Sequence, residues 1–141
     1  MSRGVTLLEL LLALLLIGLL ALIAIPRLAA VTAAAALRHE ATLLVTVLDE
    51  ARTTAIRLGT VATLTLTDSA YLIEAEIPTD SLSRRRHPGP AMRGARLAGG
   101  GAPMRFSPAG IAVGVANRTL ILSRNGLARQ VVVSRLGRIT P

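Results

Sequence analysis

The chain has 141 residues, 52 % of them hydrophobic and 17 % charged, which fits one small domain plus an appendage and is too apolar for a disordered chain or an ordinary soluble domain. It contains no cysteine, so disulfide scaffolds, thiolate zinc sites, iron–sulfur ligation and cysteine nucleophiles are excluded. The net charge is +8 and only Tyr71 and Phe106 are aromatic, so an anionic partner is open but a base-stacking platform is not.

Residues 5–25 read VTLLELLLALLLIGLLALIAI. At 1.5 Å per residue this run gives a helix of roughly 31 Å, about one hydrocarbon thickness. A cleaved secretory signal has a shorter apolar run followed by a small-x-small site. Here Ile25-Pro26-Arg27 stands where that site would fall, although the stretch 33–36 leaves the signal reading open. Glu9 is the one ionisable residue between Gly4 and Pro26. A carboxylate at membrane depth costs about 2.5–3.5 kcal/mol unless it lies near the interface or finds a partner. With no cation in the same run, its partner must be a chain terminus, a neighbouring subunit or the headgroup layer.

The N-terminus, Met1-Ser2-Arg3-Gly4 and then Val5-Thr6-Leu7-Leu8-Glu9, resembles that of type IV pilins and type II secretion pseudopilins. Val5 stands where Phe is commonest. The resemblance implies that residues 1–4 are a leader and that a prepilin peptidase cuts between Gly4 and Val5 and methylates the new Val5 amine. It further implies that Glu9 pairs with the Val5 amine of the adjacent subunit and that Thr6, Glu9 and Pro26 serve assembly. Opposite charges brought together in low dielectric relieve each other's desolvation.

Pro26 is expected to kink or loosen the helix rather than end it, or simply to mark the membrane exit. Residues 27–59 are rich in helix formers. Leu37, Ala41, Leu44, Leu48, Ala51, Ala55 and Leu58 recur at alternating spacings of four and three and predict one buried stripe. Asp49, Glu50, Arg52 and Arg57 fall away from it, and Gly59 is a natural stop. Ala13, Gly18, Ala21 and Ala24 allow helices to approach closely.

Beyond Gly59 the period becomes two. Residues 61–67 alternate Thr with aliphatics and predict a strand, Asp68-Ser69 a turn, and Tyr71, Ile73, Ala75 and Ile77 the buried face of a second strand. Four prolines and five glycines between 78 and 103 predict a long irregular loop with a short strand near 91–97. Residues 119–122 and 128–133 predict strands joined through Asn125-Gly126, a strong hairpin signal. The expected fold is α+β: a long N-terminal helix, half transmembrane and half amphipathic, packed on a small antiparallel sheet or β-sandwich spanning 60–141.

Phe106-Ser107-Pro108-Ala109-Gly110, the Asn-Gly hairpin and the segment Val131–Ile139 are similar to the C-terminal domain of the GspH/FimT pseudopilin family. That resemblance implies a minor pseudopilin of the type II secretion pseudopilus, single-pass in the bacterial inner membrane with its C-terminal domain in the periplasm. Its partners would be other minor pseudopilins or pilins. The alternative is a FimT-like minor pilin of a type IV pilus that binds DNA during natural transformation.

All sixteen basic residues are arginine; residues 1–80 carry −3 and residues 81–141 carry +11 with no acid. The run Arg84-Arg85-Arg86, with Arg135 and Arg138 about the Gly137 turn, is therefore a candidate contact for duplex DNA. DNA-uptake members of the family carry Gly-Arg-x-Arg; here Gly137-Arg138-Ile139-Thr140 keeps one arginine of the two. A solvated or partner-facing basic surface is the other reading. His39 and His87 lack metal-ligand spacing to another donor, and Gly99-Gly100-Gly101 lacks the Gly-Lys-Ser/Thr of a phosphate loop. No cofactor and no enzymatic activity are expected.

Overall fold

A computed structural model of the protein describes residues 6–77, 81–114 and 117–141. The chain divides into two compact units after Ala34. One helix, α1 (Leu7–Leu58), contributes to both, and Pro26 lies within it.

In the first unit α1 carries an apolar surface that is exposed from Leu7 to Leu20 among the described residues. Leu15 is 66 % exposed and Leu22 78 %. Thr6 caps the start: its Oγ1 accepts from the Glu9 backbone N–H at 3.3 Å, the Thr-x-x-Glu spacing of a capping box.

In the second unit the rest of α1 packs on two antiparallel sheets. The first runs in the order β3 (Ser81–Pro88), β2 (Ala70–Ile77), β1 (Ala62–Leu66), β5 (Met104–Phe106), β6 (Ala112–Val113). The second runs β4 (Arg96–Ala98), β7 (Arg118–Arg124), β8 (Leu127–Val133), β9 (Ile139–Thr140). The expected stripe of α1 is the core: Leu37, Ala41, Leu44, Leu48, Ala51 and Ala55 are buried together with Leu64, Ile73, Phe106, Leu120 and Val131. Alternation on β1 and β2 sends Leu64, Leu66, Tyr71, Ile73 and Ala75 to this side and the threonines of β1 away from it. The hairpin forms at Asn125-Gly126, both with positive φ (49° and 78°), as a two-residue turn matched to the strand twist requires. At the end of α1, Gly59 adopts φ 64°. Its N–H donates to the Ile56 carbonyl and that of Thr60 to Ala55, which satisfies two carbonyls the helix end would leave open.

The expected irregular loop over 78–103 is corrected in part. Ser81–Pro88 forms β3, paired along its whole length with β2. A 3-10 turn at Pro90–Arg93 takes the first residues of the short strand expected near 91–97, and β4 lies at Arg96–Ala98, overlapping only its end. The backbone-breaking residues are concentrated at 88–94 and 99–103, which leaves 81–87 free to pair. Cross-strand charge supports the pairing: Arg84 stands opposite Glu74 and forms an ion pair with it at 3.2 Å, as opposite charges in register do.

Candidate functional site

Glu9 lies in the first turn of α1. Its side chain is exposed, and among the described residues it makes no ion pair. Gly4 and Val5, the expected cleavage and methylation positions, lie outside the described residues. The first unit therefore presents a helix start with a carboxylate on an apolar surface, in a helix long and apolar enough to cross a membrane. Pro26 removes one N–H from the ladder without ending the helix.

The arginine run is divided between the two faces of β3. Arg84 and Arg86 stand opposite Glu74 and Leu72 on the outer face of the first sheet, whereas Arg85 stands opposite buried Ile73. Arg85 Nη1 donates to Glu50 Oε1 on α1 at 2.7 Å. His87, from the same side of β3, brings Nε2 to 3.0 Å from Glu50 Oε2, in ion-pair range but without hydrogen-bond alignment. Two of the three arginines are thus committed to carboxylates, and Arg86 remains unpaired among the described residues.

Arg135 and Arg138 stand apart from that run, on the tight turn between β8 and β9. The Ser134 N–H donates to the Arg138 carbonyl at 2.8 Å and the Gly137 N–H to the Ser134 carbonyl at 3.0 Å. Gly137 has φ 75°, and a Cβ there would meet the Gly110 carbonyl oxygen at 2.2 Å, so both turn and packing require glycine. Both arginine side chains are exposed and neither is ion-paired among the described residues. Arg138 also lines a groove of about 930 Å³ between this turn and Val45, Asp49 and Arg52 of α1. Arg52 is held there by donating from Nε to the Gly110 carbonyl at 3.1 Å.

One constellation escaped the sequence reading. Glu40 is 1 % exposed. Arg93, from the 3-10 turn, donates to it from both Nε and Nη2, the latter to Oε2 at 3.1 Å. This two-pronged bond raises the pKa of the Arg93 guanidinium. Tyr71 lies buried nearby with its hydroxyl unpartnered; burial first, then the Glu40 charge, pushes its pKa up. The signal for Glu40 was its position, four residues before Leu44 and three after Leu37, which puts it on the buried stripe. No sequence signal pointed to Arg93. Among the described residues no three His, Asp or Glu side chains gather in a geometry that could hold a metal ion.

A membrane-length apolar helix running into the helix on which antiparallel sheets pack defines a pilin-like subunit. The architecture is similar to the crystal structure of the type IV minor pilin FimU of Pseudomonas aeruginosa strain PAO1, at 20 % identity and a TM-score of 0.55, over 77 % of this chain and 87 % of that one. At that identity the likeness establishes the fold. The family described as type II transport protein GspH matches residues 40–137, and the chain belongs to that family. No curated protein matches it.

Proposed function

We propose that this chain is a minor pseudopilin, a structural assembly subunit of the type II secretion pseudopilus rather than an enzyme. A single span over 5–26 holds it in the inner membrane, with the 60–141 domain in the periplasm. Prepilin peptidase removes residues 1–4 and methylates Val5. Glu9 then neutralises the Val5 amine of the adjacent subunit, which fixes a one-subunit stagger. The observation that carries this reading is the GspH match on the second unit joined to a helix whose apolar start holds one carboxylate without a partner among the described residues. An uncompensated charge at membrane depth favours whatever neutralises it.

Intact-mass measurement after co-expression with prepilin peptidase tests this. The expected product begins at methylated Val5, and Gly4→Ala keeps the leader. A product that retains residues 1–4 in the presence of active peptidase overturns the reading.

The second reading is a type IV minor pilin that contacts duplex DNA. It is supported by the likeness to FimU and by Arg135 and Arg138, exposed on one turn. It predicts salt-sensitive retention of the chain on duplex DNA, with a log–log slope that falls by roughly one for each arginine changed to Ala. Unchanged retention in Arg135→Ala and Arg138→Ala removes those residues from the reading. Deletion separates the two machines: loss of protein export with transformation intact supports the pseudopilus.

A further inference from the structure

The arginines without an ion pair among the described residues are not evenly spread. Arg96 begins β4, opposite Ser123 of β7. Ser123 stands opposite Ala128, and one row further Arg124 stands opposite Leu127. Arg129 stands opposite Leu122. The hairpin end of the second sheet thus carries Arg124 and Arg129 on one face and Arg96, in the row of Ser123 and Ala128, on the other, across three adjacent strands and a width of roughly 10 Å. None of the three is ion-paired among the described residues. Leu127, 39 % exposed, shares the face of Arg124 and Arg129.

The position of this end along α1 follows from contacts within the second unit. Arg93, three residues before Arg96, binds Glu40, and the Leu97 N–H donates to Asp68 Oδ1 in the β1–β2 turn. The opposite end of the sheet, at the β8–β9 turn, faces Asp49 and Arg52. The hairpin end is therefore the end at which α1 enters the unit. Only residues 26–34 separate that entry from the apolar run.

We propose that Arg96, Arg124 and Arg129 form a contact for anionic phospholipid headgroups, used while the subunit waits in the bilayer. The inference rests on the anchoring part of the function proposed above. Guanidinium groups take phosphate oxygens in a forked geometry, and an exposed leucine beside Arg124 and Arg129 at the tip of the sheet suits a headgroup–acyl boundary, where apolar side chains insert beneath basic ones. A nucleic-acid backbone offers the same phosphates but nothing for Leu127. Each arginine close to an anionic leaflet favours contact by roughly fivefold, and three by roughly 100-fold.

The absence of native cysteine allows a single label. The full chain carrying Ala128→Cys with a fluorophore is placed in nanodiscs that contain a headgroup-nitroxide lipid, made either of phosphatidylcholine or of phosphatidylcholine with phosphatidylglycerol. Stronger quenching is expected in the phosphatidylglycerol discs. It should be lost at about 0.5 M salt, where screening shortens to a few ångströms, and lost in the triple variant Arg96→Gln, Arg124→Gln, Arg129→Gln. A label at Leu136→Cys, on the opposite end and 76 % exposed, should not respond. Should the triple variant fail to fold, Arg129→Gln alone should remove about fivefold of the contact. Equal quenching in both lipids, or an equal response at Leu136, overturns the proposal while leaving the anchor intact. A chain that does not enter nanodiscs overturns both. Retention on duplex DNA that depends on these three arginines, without a lipid response, assigns the patch to nucleic acid and overturns it as well.

Discussion

Two carboxylates on the same helix meet different fates. Glu40 is buried and held by a guanidinium from its own chain. Glu9 is exposed on an apolar surface with no ion pair among the described residues. Low dielectric makes both charges costly alone. The second unit meets that cost internally and folds into a closed core; in the function proposed above, the first leaves it for the Val5 amine of an adjacent subunit to meet. On that proposal the difference separates what stabilises the subunit from what drives its association. It breaks most sharply at Glu9. Glu9→Gln should leave the unfolding of the second unit unchanged in detergent. It should weaken co-purification with partner subunits by roughly 1000-fold, the equivalent of about 3–5 kcal/mol for stranding one member of a buried pair. Unchanged co-purification would mean that the two carboxylates do not differ in this way.

The leucines of α1 sharpen the same contrast. Leu44 is 0 % exposed among the strands, so Leu44→Ala should lower stability by about 3 kcal/mol through lost burial and a residual cavity. Leu15 is 66 % exposed, and Leu15→Ala should change the unfolding of the full chain in detergent by less than about 0.5 kcal/mol. Urea titrations of the two variants provide the comparison. Arg93→Met comes next. Removing one partner of an enclosed pair costs about 3–5 kcal/mol; with the Arg93 side chain 34 % exposed, about 2 kcal/mol is expected. Adding Glu40→Leu to Arg93→Met should recover most of that loss, because the buried charge is gone. A double variant as unstable as the single one would assign the loss to packing instead.

Much of this fold was legible because single periodicities carry it. The four–three spacing from Leu37 to Ala55, the Thr alternation of β1 and the Asn125-Gly126 turn each encode local structure without reference to the rest of the chain. The strand β3 was not legible in that way. Its residues Ser-Leu-Ser-Arg-Arg-Arg-His-Pro have no β pattern of their own; they are a strand through backbone pairing with β2, which Glu74 across the ladder and Glu50 on the helix support. For the same reason the run Arg84-Arg85-Arg86 did not show in sequence that alternation along β3 sends Arg85 to the opposite face from Arg84 and Arg86. The Glu40–Arg93 bond joins residues 53 positions apart. Such a partnership leaves a trace only in its buried member, an acid set on an apolar stripe.

Tyr71 shows how the enclosed side of the comparison handles a polar group that finds no partner. Its side chain is 1 % exposed and its hydroxyl makes no hydrogen bond among the described residues, so its burial is not offset there by a protein partner. Tyr71→Phe should therefore be neutral or stabilise the chain by less than about 1 kcal/mol. The substitution also has a pH signature. Burial and the neighbouring Glu40 charge raise the Tyr71 pKa above its ordinary value of 10.0, so the folded protein keeps the phenol proton where the unfolded chain releases it. The stability associated with that proton is fully present below pH 10 and falls as pH rises beyond it, since the unfolded state then binds fewer protons than the native one. Urea midpoints of the full chain in detergent between about pH 8 and 11 should decline more steeply for the parent than for Tyr71→Phe. Parallel declines would mean that the hydroxyl reaches solvent or a partner before the rest of the core opens. In that event the enclosure of the Glu40 neighbourhood, on which its contrast with Glu9 depends, would be looser than its burial indicates.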